Sequence, residues 1–430
     1  MKSLIILLLF CLAQPTLGRF IPFQYGLIIE ILLLIIAVSS FKANPNRSRQ
    51  KNKPDLFLIF MSIWFIYILM QFFNPESASE MAWLYAFRGI SIYGFFIGLT
   101  IHNMELERAS VLSFFKLVLG FSVVAGLYSL KQNTLGLFTF EYNWLYNSHA
   151  HLQHVLWGKL RVFSLFADAS ICGNFLAHSF VLAFVLGFGP FSRKTKIFLS
   201  LTAVFSLIGL SLSGTRGAFA VPLAGVTLFA LINKNSFFRI AIIGGLILAF
   251  SFLKFTSIGH NIYAIHRMRT GLDPNDPSLH TRIFNRAELT KYLKDKPFGG
   301  GIGSAGSWGK RFSPHTWLAN FETDGGYTRI RAECGIIGRN LYVLIHLLLL
   351  LRGARLLIKM DEGKTYYFGA SILSGYAGIL ASNYGNSTLD TIPINIICFT
   401  GMAIIEKMHN GLSMDNETYD EADSSLEIER

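Results

Sequence analysis

The sequence predicts an all-α polytopic membrane protein with about twelve transmembrane helices and one large extramembrane loop between the ninth and the tenth. Three observations carry this. Of 430 residues, 52% are hydrophobic and only 15% are charged. Apolar runs of roughly 20 residues, the length of a bilayer-crossing helix, recur from end to end. One long polar stretch, from Ser257 to Gly338, interrupts them. Hydrocarbon offers no hydrogen-bond partners, so the spans must be helices, and the alternating strands of a membrane barrel would not give such continuous runs.

The opening MKSLIILLLFCLAQPTLG has the charged start and apolar core of a secretory signal. A second span follows at once and the topology needs both, so we read it as a first helix over about 3–18. Further spans fall at about 20–41, 55–73, 83–102, 109–130, 170–190, 197–213, 216–233, 239–256, 327–351, 365–383 and 391–407. The basic loops KANPNRSRQKNK (42–53), SRKTK (192–196), KNSFFR (234–239) and RGARLLIKMDEGK (352–364) fall on one side if the N-terminus is cytoplasmic. That is the side the Lys and Arg bias assigns to them. The chain then divides into nine spans (1–256), an outer loop with short helices (257–326), three more spans (327–407) and an acidic cytoplasmic tail (408–430).

A net charge of +12 invites a nucleic-acid partner. The Lys and Arg lie between spans rather than along one soluble face, which argues against that class and for membrane lipids as neighbours. Cys11, Cys172, Cys334 and Cys398 are isolated in or beside apolar segments and read as packing residues. The run HAHLQH (149–154) does not put its three histidines on one helical face, so it predicts no metal site.

Charges in or just beneath a bilayer are costly and by default functional. Arg88, Asp168, Arg216 and Lys254 lie near the outer ends of their spans, while Glu30 and His178 lie deeper, where interhelical hydrogen bonds are expected. SLSGTRGAFA (211–220) breaks two apolar helices with a small turn and puts Arg216 at the start of the second. Free N–H groups and a guanidinium make a phosphate-binding corner; the alternative is a tight turn with Arg216 on lipid headgroups. Asp168, in VFSLFADASICGNFLAHS, opens its span as a cap facing the outer cavity.

The 257–338 insert carries an excess of Lys and Arg on the side where topology does not call for it, and an anionic ligand accounts for the excess. SLHTRIFNRAELTKYLKD (278–295) is a predicted helix with Ser278 as its cap and with Arg282 and Arg286 one turn apart on one face. GIGSAG (301–306) matches a dinucleotide loop only in spelling, since no strand–turn–helix unit surrounds it. Its glycines are expected to turn closely beside a substrate or re-enter the membrane. In ETDGGYTRIRAECGIIG (322–338), Asp324, Arg329, Arg331 and Glu333 sit where the insert meets the membrane, so carboxylates and guanidiniums can converge there; capping and surface pairing are the alternative.

At these residues the chain resembles the O-antigen ligase and O-antigen polymerase superfamily of bacterial polytopic membrane glycosyltransferases. The ordered features are the FSLFADASICGNFLA opening, SLSGTRGA, Arg282 ahead of KPFGGGIGS, and the ECGIIG helix start. The resemblance implies a GT-C-like helical fold in the inner membrane with a periplasmic active site. It implies a glycan donor on undecaprenyl diphosphate and no cofactor or metal. The acceptor is another lipid-linked repeat unit in polymerases or lipid A core in ligases, and a chain-length regulator is a candidate partner.

The family's diphosphate-binding arginines fall on Arg216 and Arg282, with Arg286 or Arg88 in support. Asp168, Arg329 and Arg331 are candidates for the substrate cavity. Ligases carry a His eleven residues before the first glycine of the GxxG helix start, where this chain has Asp324. Either Asp324 is the general base, or His315 or Glu322 serves instead, or the chain is not a ligase, and the departure favours a polymerase or a divergent member. Diphosphate is a good leaving group, so the protein mainly supplies cations and a base, and direct displacement inverts the anomeric carbon. A competing class is a non-enzymatic lipid-oligosaccharide flippase, but transporters concentrate charge near the midplane on broken helices rather than outward.

Overall fold

The computed structural model describes residues 1–21, 23, 25–42, 54–156, 158–259, 263–273 and 275–415. Its elements in chain order are α1 (Lys2–Phe20), α2 (Tyr25–Lys42), α3 (Leu56–Met70) and α4 (Glu80–Phe87), which runs through a π-turn at Arg88–Ile92 into α5 (Tyr93–Asn103). Next come α6 (Arg108–Thr134), the short α7 (Thr139–Asn147) and α8 (His151–His154), then α9 (Ala169–Gly187), α10 (Arg193–Ser213), α11 (Ala220–Ile232) and α12 (Ser236–Phe255). The insert folds as α13 (Tyr263–Thr270), α14 (Pro277–Tyr292), α15 (Gly306–Phe312) and α16 (Trp317–Asn320). The chain closes with α17 (Gly326–Lys359), α18 (Lys364–Ser382) and α19 (Ile394–His409). Among the described residues the only strands are a two-stranded antiparallel ladder pairing Val155 with Leu160 and Leu156 with Lys159.

The expected all-α polytopic fold is the one observed, and each expected span is helical. Among the described residues, eight helices are long and apolar enough to cross a membrane, by length and composition, and Tyr25–Phe41 and Arg216–Ile232 are shorter apolar helices. The contrast between α12 and α18 shows why apolarity and burial part company. No residue of α12 is buried, whereas α18 buries most of its length, including Gly369, Ser371, Ser374, Gly375 and Gly378. A helix facing lipid needs apolar side chains, while one packed inside a bundle uses small residues that let neighbours approach.

Helix ends sort into two groups. At one end Arg267 reaches the carbonyl of Gly214, Asn74 reaches that of Phe298, and Gly326 N–H donates to the Asn383 carbonyl, so the insert covers this end. At the other, Lys407 donates to the His102 and Met104 carbonyls, Lys234 to that of Met360, and Asp415 accepts from Lys364 N–H. The basic loops 192–196, 234–239 and 352–364 gather at this second end. The basic residues 43–53 and the acidic residues 416–430, which entered the same expectation, lie outside the described residues.

One helix is broken. Gly335 has φ 67° and ψ −166°, nine residues into the 34-residue α17. A break inside a membrane frees backbone groups that must be satisfied again. The glycine-rich stretch of the insert does this: Gly300 and Gly301 donate to the Ala332 and Glu333 carbonyls at 2.9 and 3.0 Å, and Ile337 donates to that of Pro297. Tyr67 Oη donates to the Cys334 carbonyl at 3.0 Å. The close approach expected of GIGSAG is thus to the protein's own backbone. Gly303 (φ +78°) is so tight that a Cβ there would lie 2.3 Å from the Ala82 oxygen.

Candidate functional site

The turn after α10 is held from three directions. Gly214 ends the helix in the left-handed region. Arg267 from α13 donates twice to its carbonyl, at 3.2 and 2.9 Å. Arg161 donates to Thr215 Oγ1 at 3.0 Å, and Thr215 Oγ1 donates to the Ala169 carbonyl at 3.0 Å. So anchored, the turn sends Arg216 toward α14, where Nη1 meets Asp276 Oδ2 at 2.6 Å and Nη2 meets Ser278 Oγ at 2.7 Å.

Asp276, rather than the expected Ser278, caps α14, its Oδ1 accepting from Leu279 N–H at 3.1 Å. Pro277 takes the first helical position, where no N–H is needed. Burial raises the Asp276 pKa, but hydrogen bonding and the charge of Arg216 outweigh it and hold the carboxyl below its ordinary value of 3.8. A lowered folded-state pKa contributes stability above that ordinary value and loses it as pH falls through the folded one. At neutral pH Asp276 is therefore a full anion on Arg216.

The facing wall is the turn between α18 and α19. Asn383 Oδ1 accepts from Thr388 and Leu389 N–H at 3.0 and 3.4 Å. The carbonyls of Asn383 and Asn386 accept from Gly326 N–H at 2.9 and 3.1 Å, which docks the start of α17. Gly325 (φ +99°) presses against this turn so closely that a Cβ would lie 2.3 Å from the Tyr384 oxygen. Asp324 is the residue just before that contact.

Two arginines of α14 reach the same turn. Arg286 lies over the Tyr384 ring at 4.0 Å and donates to its hydroxyl. Arg282 Nη1 is 3.8 Å from the Cβ position of Gly385, which is 4.0 Å from Gly217 Cα. Arg216, Arg282, Arg286 and the backbone at Asp324 are thus brought to one turn. Arg282 is half-buried and makes no ion pair or hydrogen bond among the described residues. Guanidiniums so placed can receive an anion bidentately.

The other expected residues have contacts of their own. Arg88 is a correction: it sits in the π-turn and pairs with Glu30 at 2.9 Å, joining α2 to α4 rather than supporting Arg216. Asp168 caps α9, accepting from Ser170 and Ile171 N–H. Arg329 is bound to Glu333 and Asp390, each at 3.3 Å. Arg331 makes no ion pair among the described residues, and its Nε is buried without a partner. Glu322 is exposed. His315 is exposed beside α16, whose Trp317 stacks at 4.4 Å on Tyr292 at the far end of α14 from Arg282. Of the three base candidates, Asp324 is the one whose backbone adjoins the turn that Arg286 reaches.

His154 packs against Trp144 and Phe163, and His151 stacks on Tyr146. Sequence reasoning missed Asp276, Tyr384 and Asp390; the Asp-Pro pair at 276–277 was the one readable signal among them, since it marks a cap followed by Pro. The Arg329 triad yields a stability prediction. Removing the cation leaves Glu333, fully enclosed, and Asp390 uncompensated. Arg329→Gln is expected to cost about 3–5 kcal/mol, measurable as lowered thermal stability of the detergent-solubilised protein.

Residues 201–343 match a family model described as O-antigen ligase. No curated protein matches the chain. The matched stretch runs from within α10 past the break in α17 and contains the three converging arginines and all three base candidates, but neither Arg88 nor Asp168. It supports the superfamily that the motifs suggested and an enzyme of glycosyltransferase type.

Proposed function

From a chain whose residues 201–343 match the O-antigen ligase family, we propose a membrane glycosyltransferase that moves an undecaprenyl-diphosphate-linked glycan onto a hydroxyl acceptor, as a repeat-unit polymerase. The observation that carries this is Arg282, a half-buried guanidinium without a protein anion, on the helix face it shares with Arg286 and beside the Arg216 turn.

The donor diphosphate binds across Arg282, Arg286 and Arg216. Arg216 exchanges the Asp276 carboxylate for phosphate oxygens, which its planar fork suits equally well. The acceptor hydroxyl attacks the anomeric carbon, Asp324 takes its proton, and the bond from sugar to phosphate breaks as negative charge develops among the arginines. One direct displacement inverts the anomeric centre. The insert faces the periplasm of a bacterial inner membrane and the basic loops face the cytoplasm, a reading supported by the clustering of Lys and Arg at one end of the bundle. The break in α17 lies nine residues from its start, toward the insert rather than at mid-helix, which weighs against the flippase reading.

The carboxylate at Asp324, where ligases carry His, favours polymerisation. The description of the matched family favours a second reading, ligation to lipid A core. A deletion strain distinguishes them. Single repeat units on lipid A core identify a polymerase, full-length chains stranded on undecaprenyl diphosphate identify a ligase, and an unchanged glycan profile overturns both. For the base, Asp324→Asn is expected to lower turnover by about 10²–10⁴-fold while donor binding persists; full turnover would move the role to His315 or Glu322.

A further inference from the structure

We propose that the end of the bundle opposite the insert carries a site for an anionic phospholipid, in a cavity of about 750 Å³ between α6, α10 and the start of α18. Two chemistries meet there. Phe115, Leu119, Leu199 and Phe368 are buried apolar lining. Arg108, Lys116, Lys194 and Lys364 are four cations of the same wall.

None of these four side chains has an ion pair or a hydrogen-bond partner among the described residues, and the Nε of Arg108 is enclosed without one. Three of them stand where positive charge is already concentrated. Arg108 opens α6, Lys194 is the second residue of α10, Lys364 opens α18, and no acidic residue lies in the first turn of any of the three helices. A helix N-terminus is the positive end of the dipole and favours anions there. Asp415 answers part of this at α18 by accepting from Lys364 N–H at 2.8 Å, and Glu107 stands at the N-cap of α6 without a side-chain cap bond. The remaining positive potential converges on one apolar cavity.

A phosphodiester headgroup above acyl chains satisfies both halves of the wall. Inorganic phosphate satisfies only the cations, and so does the acidic stretch 416–430, which begins just beyond Met414 of the lining. The position is also right for a lipid. The cavity lies at helix ends, where a membrane-crossing bundle meets headgroups, and basic pockets between spans at that level take anionic ones. The inference needs only that the bundle spans a membrane, so it stands or falls apart from glycosyl transfer.

The test uses the full-length purified protein and compares lipid retention and melting temperature with phosphatidylglycerol, phosphatidylcholine and inorganic phosphate. Phosphatidylglycerol is expected to be retained and to raise the melting temperature, and the other two to do neither. Arg108→Gln with Lys194→Gln should weaken phosphatidylglycerol retention by about tenfold or more, and the exposed Lys116→Gln, the variant least able to disturb folding, should weaken it less. Equal retention of the two phospholipids, or stabilisation by inorganic phosphate alone, overturns the proposal. So does phosphatidylglycerol binding that arises only after residues 416–430 are removed, since the tail would then be the occupant.

Discussion

Replacing Arg216 with Ala is expected to abolish glycan transfer, with a loss of about 10²–10³-fold or more, while the protein remains folded and inserted. Arg216 is aimed by the anchored 213–216 turn and already grips an anion, Asp276, at 2.6 Å. Leaving-group charge is worth most to stabilise where water is scarce and the donor group is fixed beforehand, and the Arg216 side chain is only 21% exposed. Arg216→Lys should also be impaired, because an ammonium cannot reproduce the two-pronged contact now made to Asp276 and Ser278.

The same ion pair can be opened from its other side as a control. Asp276→Ala removes the cap of α14, worth about 1 kcal/mol, but frees Arg216 for the donor. Transfer should survive in that variant. If Arg216→Ala and Asp276→Ala lose transfer equally, with equal loss of stability, then Arg216 anchors the insert and does not bind the donor. Glycan chain lengths in cells carrying each variant, beside its melting temperature, separate the two outcomes.

Gly335→Ala is expected to prevent folding, at a cost above about 4 kcal/mol. The position has φ 67°, and a Cβ would fall 2.0 Å from the Pro297 oxygen and 2.4 Å from Gly299 N. Both neighbours are bonded backbone, the Pro297 carbonyl accepting from Ile337 N–H and Gly299 N–H donating to the Lys296 carbonyl, so neither can move aside without leaving a backbone group unsatisfied. Gly306 is the comparison. It shares the positive φ, +66°, but has nothing within 4 Å of its Cβ position. Gly306→Ala should therefore cost only about 1–3 kcal/mol of backbone strain. A monodisperse, thermally stable Gly335→Ala protein would show that the break is not enforced by this packing.

How far the site could be read in advance varied with the range of the interaction. Arg282 and Arg286 on one face follow from helical spacing, and a small turn between two apolar runs announces Arg216. The capping residue of α14 was misread by two positions, because Ser278 and Asp276 are both good caps and the Pro between them, which prefers the first helical position, decides the matter. Arg88 was misread for a different reason. Its partner, Glu30, lies 58 residues away on another helix, and no local pattern links the two.

The sequence alone determined the frame: a membrane has no water to hydrogen-bond a backbone, so each span must appear as a long apolar helix, and basic loops must collect at one end. It also determined which polar segment interrupts that frame and which arginines that segment carries. Only the tertiary structure decided that Asp276 occupies Arg216, that the turn beyond α18 receives α14 and the start of α17, and that a glycine-rich loop repairs a broken helix. Those contacts join residues far apart in the chain, and they depend on which helix ends become neighbours once the bundle has packed.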